Sequence, residues 1–168
     1  MEKQAIIDAI RDCLDNNDWN YEYDAEHSVI HFGIRIRSKI KNVKIIIDVS
    51  DNSYVVYTYS PINADPNDLS EILRYLAQAN YGLRNGNFEL DVKDGEIRYK
   101  VFVNCNNIET LPERVILDSV CIPCHMFDRY GDGFAALAMG FSDAKTEIEK
   151  AEKDTEPIDP PQADPEED

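Results

Sequence analysis

Residues 88–103, FELDVKDGEIRYKVFV, constrain the fold more than any other stretch. Asp94-Gly95 stands at the centre, a dipeptide favoured in two-residue type I′ hairpin turns. Folding about it pairs Lys93 with Glu96, Val92 with Ile97, Asp91 with Arg98, Leu90 with Tyr99, Glu89 with Lys100 and Phe88 with Val101. Every charge then faces an opposite charge, and every apolar residue faces an apolar one. Each pair contributes only about 0.2–1 kcal/mol. A slip of one residue, however, would turn the whole apolar set to the wrong face. The expectation is an antiparallel hairpin with Glu89, Asp91, Arg98 and Lys100 on a solvated face.

The same period of two runs through residues 19–60. Ile30, Phe32, Ile34 and Ile36 alternate with His31, Gly33, Arg35 and Arg37, as in a half-buried strand. WNYEY (19–23) precedes it as a hairpin partner. NVKIIIDV, with Ile45, Ile47 and Val49 on one face, and SYVVYTYS follow it across the turn signal SDN at 50–52. These four strands make an antiparallel meander.

Helical periodicity frames the strands. Ile6, Ile10, Cys13 and Leu14 form one stripe, closed by NND at 16–18. A second helix is expected after Asp65 as N-cap and Pro66 at the first position. Its stripe is Leu69, Ile72, Leu73 and Leu76, with Gly82 in a left-handed C′ position and Leu83 folding back. A third begins near Pro112 with Thr110 and Glu113 at capping-box spacing. Its stripe is Leu117, Val120, Cys121, Cys124 and Phe127, with a break at Gly131–Gly133. The order α-β-β-β-β-α-β-β-α is an α+β fold, an antiparallel sheet with helices packed on it. Residues 1–142 form the single domain. Residues 143–168, rich in acids and proline, read as a disordered tail.

Of the 168 residues 43% are hydrophobic, enough for a core. The N-terminal MEKQAIIDAI carries no long apolar run, and no stretch reaches the ~20 apolar residues of a membrane span. A cytoplasmic protein is expected, without membrane association. The four cysteines are then free thiols, not a disulfide scaffold. The formal charge is −16, half of it from residue 142 onward. A chain so acidic repels phosphate backbones, which argues against a nucleic-acid partner.

Residues 75–103, YLAQANYGLRNGNFELDVKDGEIRYKVFV, place Asn80, Gly86 and Phe88 in an N-x-x-x-x-x-G-x-F element that runs from a helix end into the hairpin. FDRYGDGFAAL (127–137) sets Asp128 and Tyr130 on the last helix. In these residues, and in element order along residues 1–140, the chain resembles the YbjN-domain family. The resemblance implies a fold like that of the type III secretion chaperones and a role as a bacterial sensory transduction regulator. It supplies no catalytic residues. The CIPCH stretch and the acidic tail depart from the family's pattern.

CIPCH (121–125) carries the most suggestive chemistry. C-x-x-C-H is the haem-attachment pattern, and C-x-x-C also serves zinc and thiol redox sites. On an ideal helix Cys121 and Cys124 lie about 60° apart, with His125 about 40° beyond Cys121 on the other side. The three could share a ligand, but the same spacing describes a core stripe. Zinc would need a fourth ligand, from Cys105, His27 or His31. GLRNGNF (82–88) lacks the Lys-Ser/Thr of a phosphate loop and leads into a strand. No nucleophile–base triad is recognisable, and no cofactor is implied. The strand at 53–60 is apolar on both faces, with Tyr54 and Val56 on one and Tyr57 and Tyr59 on the other. One face needs cover from a second surface. The expected function is a non-enzymatic adaptor or chaperone-like regulator that binds another protein, with a homodimer as one form. The alternative is a small metal or thiol-redox protein using Cys121, Cys124 and His125.

Overall fold

The alternation in residues 29–59 becomes one antiparallel sheet, and the helical stripes cover one side of it. The computed structural model describes residues 1–66 and 69–153. Its elements are α1 (Lys3–Asn16), β1 (Glu22–Asp24), β2 (Val29–Arg35), β3 (Asn42–Ser50), β4 (Ser53–Tyr59), α2 (Ser70–Tyr81), β5 (Asn87–Leu90), β6 (Ile97–Asn104), α3 (Glu113–Ala138) and α4 (Ala144–Lys153). The strand order is β1-β2-β3-β4-β6-β5, with every neighbouring pair antiparallel. The chain is α+β, as its patterning requires. Among the described residues no helix is long and apolar enough to cross a membrane.

The inner sheet face is apolar from strand to strand. Ile30 pairs with Ile47, Ile47 with Val56, and Val56 with Val101, and all four are buried. α1 and α3 pack on this face, and α2 packs beside β5. Phe88 is the hub between sheet and helix. Its ring stands edge-on to Tyr99, Phe127, Tyr130 and Phe134 at centroid distances of 4.8, 5.4, 5.7 and 5.1 Å. Such pairs add about 0.5–1.5 kcal/mol each beyond their buried area.

The 88–103 hairpin forms, but in another register. Leu90 pairs with Ile97, Glu89 with Arg98, Phe88 with Tyr99 and Asn87 with Lys100. This is two residues from the expected pairing, so each side chain keeps its face while its partner changes. The turn is wider than two residues. Asp91 N donates to Glu96 O, and Gly95 N donates to Asp91 O at 2.8 Å. Neighbouring chain holds the wider turn, since Ala64 N donates to Gly95 O at 2.8 Å. Gly95 has φ +76°, and a Cβ there would run into the Ala64 carbonyl.

The helices differ from expectation at their ends and stripes. α2 begins at Ser70 after Leu69, so Asp65 and Pro66 precede it. Its buried stripe is Ile72, Tyr75, Leu76 and Ala79; Leu73 is exposed. Tyr75 replaces it because the Tyr75 hydroxyl donates to Tyr130 O at 3.0 Å inside the core. Gly82 has φ −103° and is not left-handed; Gly86, at φ +80°, takes that conformation. α3 has Pro112 at its N-cap without a side-chain cap, so the Thr110–Glu113 box does not form. α3 also runs unbroken through Gly131 and Gly133. Those glycines admit neighbours: a Cβ on Gly131 would lie 2.7 Å from Ser38 Oγ, and one on Gly133 would collide with the Tyr75 hydroxyl.

The expected tail starts too early. Residues 144–153 are α4, packed on α2 and α3. Ala144, Ile148 and Ala151 are buried at i, i+4, i+7. Ala144 N donates to Glu71 Oε2 at 2.7 Å, and Asp143 Oδ1 accepts from Thr146 N at 3.0 Å as a cap. The remainder of the expected tail, 154–168, lies outside the described residues.

Candidate functional site: the outer sheet face

No described element covers the outer sheet face. Three cross-strand rows cross it: Val29–Asp48–Val55–Phe102, His31–Ile46–Tyr57–Lys100 and Gly33–Lys44–Tyr59–Arg98. Phe102 is 59% exposed. Ile46, Val55, Tyr57 and Tyr59 are half-buried. Of the four residues expected at an interaction surface, only Tyr57 and Tyr59 lie here. Tyr54 and Val56 are wholly buried on the inner face. Ser119 Oγ already donates to Ile116 O at 2.7 Å, so the Tyr54 hydroxyl donates to Ser119 Oγ at 3.1 Å. Burial pushes the Tyr54 hydroxyl up to about 12.

Arg98 organises the exposed aromatics. Its guanidinium carbon sits 4.5 Å from the Tyr57 ring centroid, a cation–π contact. Its Nε donates to Glu89 Oε2 at 2.8 Å, while Lys100 Nζ donates to Glu89 Oε1 at 3.0 Å. Burial works to raise the Glu89 carboxyl, but the Lys100 and Arg98 hydrogen bonds outweigh it and hold the group below the usual carboxylate range. The Tyr57 and Tyr59 rings lie 6.3 Å apart. The Tyr and Arg side chains are thus held in place before any contact with a second molecule. Arg98, Ile46, Lys44 and Phe102 were not among the expected site residues. Alternation places Lys44 and Ile46 on this face once the parity of β3 is fixed by Lys44 and Asp48, and Arg98 and Phe102 once that of β6 is fixed by Arg98 and Lys100.

A groove of about 640 Å³ opens where Gly33 leaves the outer face without a side chain. Ile46, Tyr59 and Pro61 give it apolar walls, and Lys44, Asn63 and Glu96 stand at its polar rim. A neighbouring recess lined by Trp19, Phe32 and Arg35 shares Gly33 with it.

CIPCH does not assemble a ligand set. Cys124 is buried, Cys121 is half-buried and His125 is exposed. Among the described residues no group of three or more His, Cys, Asp or Glu side chains is placed to hold a metal ion. All four cysteines are free. Burial pushes the Cys124 thiol up to about 12 and the Cys13 thiol up to about 11. Burial also raises Cys121 and Cys105. These thiols stay protonated at neutral pH, the opposite of an activated thiolate.

The motif residues at 80–88 and 127–134 build the scaffold. Asn80 pairs with the Phe88 backbone. Asp128 Oδ1 accepts from the backbone N–H groups of Arg37 and Ser38 at 2.5 and 3.1 Å, and Asp132 Oδ1 from that of Lys39 at 2.6 Å. Two carboxylates of α3 therefore fix the β2–β3 loop.

No known family model matches the chain, and no curated protein does.

Proposed function

We propose that this protein is a non-enzymatic adaptor or chaperone-like regulator that binds another protein through its outer sheet face. One observation carries the reading: Tyr57, Tyr59, Ile46 and Phe102 form an aromatic and aliphatic surface on a face no described element covers, with Arg98 stacked on Tyr57. Tyr and Arg are enriched at the energetic centres of protein interfaces, and a preordered set loses little freedom on binding. The resemblance to the YbjN-domain family, with its secretion-chaperone-like fold and its role in bacterial signalling, agrees with this reading. So does a cytoplasmic setting, where four free thiols persist. A homodimer through the same face is one form of the interaction.

The test is affinity purification from the native cell with wild type and with Tyr57→Ser/Phe102→Ser. Both side chains are on the open face, so folding should survive. A partner lost by the variant but retained by wild type supports the proposal. An identical set of co-purifying proteins for both, with both monomeric by light scattering, overturns it.

A further inference from the structure

The most basic stretch of this acidic chain supplies Lys44 to the groove at Gly33 and Arg35 to the recess beside it. Residues 27–47 contain no Asp or Glu and carry Arg35, Arg37, Lys39, Lys41 and Lys44, all exposed. Among the described residues only Lys39 of the five has an ion pair, with Asp132 at 3.5 Å. The backbone beneath them is fixed by Asp128 and Asp132, so the charges are presented on a held loop.

α4 delivers the chain to this loop. A cleft of about 360 Å³ has Lys39 and Asp132 on one side and Glu147, Lys150 and Ala151 of α4 on the other. Arg129 Nε donates to Ala151 O at 3.1 Å, holding the last turn of α4. α4 ends at Lys153. The C-terminal turn of α4 therefore adjoins Lys39 of the basic loop.

The sequence from there is DTEPIDPPQADPEED, with seven acids, no base, four prolines and Ile158. It accounts for −7 of the formal −16, leaving −9 on residues 1–153. Setting aside the five bases of the loop leaves the rest of those residues at −14. The segment is repelled by most of the surface and attracted by one part of it. Fifteen residues reach at most roughly 50 Å, ample for a neighbouring groove. Tethering gives an effective concentration on the order of mM, so a weak site suffices.

We propose that residues 154–168 dock within their own chain on the groove at Gly33. The carboxylates lie against Lys44 and Arg35, and Ile158 with its flanking prolines lies on the Ile46–Tyr59 wall. The docked segment covers one end of the outer sheet face. This does not depend on the partner reading above, because the contact is internal to the chain.

The test compares amide NMR spectra of the full chain, of a form ending at Lys153, and of a full chain carrying Asp159→Asn, Asp164→Asn and Glu166→Gln. The neutralised form leaves the described domain untouched. The expected result is that shifts separating full chain from shortened form cluster at residues 33–44 and 59–61. They should shrink in the neutralised form and at about 1 M salt, where the screening length is about 3 Å. A synthetic 154–168 peptide added to the shortened form should reproduce them, and should lose at least ~10-fold in affinity against Arg35→Glu/Lys44→Glu. Spectra of residues 33–61 that are unchanged by shortening overturn the proposal, as do shifts centred on another face. Shifts that grow with protein concentration assign the groove to the segment of a second copy and overturn docking within one chain.

Discussion

Asn80 closes the end of β5 by pairing with the backbone of Phe88. Its Nδ2 donates to Phe88 O at 3.0 Å, and its Oδ1 accepts from Phe88 N at 2.8 Å. The side-chain amide does what a strand neighbour would do and sets the ring of Phe88 among Tyr99, Phe127, Tyr130 and Phe134. Gly86, two residues earlier, has φ +80° and leaves no room for a Cβ against the Lys100 carbonyl, 2.6 Å away. The N-x-x-x-x-x-G-x-F element is thus a joint between helix and sheet.

Asn80→Ala should therefore cost about 1–3 kcal/mol, the range for leaving buried polar groups unpaired. Urea unfolding should show a lower midpoint with an unchanged slope, and the Phe88 amide should exchange faster. Asn80→Asp keeps an acceptor for Phe88 N but sets a carboxylate against Phe88 O, so it should also destabilise at neutral pH. Midpoints equal to wild type for both variants would remove the joint from the account.

Gly95 tests the hairpin register. Its positive φ and its closeness to Ala64 belong to the wider turn. Gly95→Ala should lose more stability than Gly140→Ala, which shares a positive φ of +68° but has nothing within 4 Å of an added Cβ. Gly140→Ala should cost about 1 kcal/mol from backbone strain alone. Gly95→Ala should add the collision with a backbone carbonyl that cannot swing aside, and the difference is read from paired denaturation curves. Equal losses would contradict the observed turn.

The hairpin also marks where sequence patterning stops. Alternation fixes parity, and a slip of two residues preserves parity, so both registers keep the apolar pairs and the same faces, although the observed one sets Lys100 opposite Asn87. The contact from Ala64, thirty-one residues away in sequence, decides between them. β4 has the same difficulty in another form. Both its faces are apolar, so Tyr54 and Val56 look as available as Tyr57 and Tyr59. The register with β3 resolves it, since Tyr59 faces Lys44 and Val55 faces Asp48. In α4 the Lys/Glu-rich composition hides a short stripe of Ala144, Ile148 and Ala151, whose burial depends on α2 and α3. The groove at Gly33 comes from side chains of three strands meeting, which no local window contains.

Thiol reactivity separates the core reading of CIPCH from a redox one. Cys13, Cys105 and Cys124 are buried, and burial raises every one of the four thiols. A disulfide-exchange reagent at neutral pH should modify half-buried Cys121 first and slowly, and the other three only after urea is added. Their rates should rise together through the unfolding transition. Rapid modification of Cys124 in the native protein would point instead to an accessible thiolate.

Glu147 predicts how α4 responds to acid. Its carboxylate is buried, with Lys150 Nζ at 2.6 Å. Burial works to raise its pKa, but hydrogen bonds from Lys150 and Ser142 and the nearby charge of Lys39 outweigh that and leave it lowered. A carboxyl lowered in the folded state favours folding above its unfolded pKa, about 4.3. That contribution fades as pH falls through the folded value. Glu147→Gln should be less stable than wild type at pH 7, and the gap should close on acidification below about pH 4.3. Because Glu147 is buried and pairs with Lys150 within α4, the same loss should appear as earlier amide exchange in residues 144–153 than in α3. A gap that stays constant from neutral to acid pH would mean that the lost contribution is packing and not the charged pair.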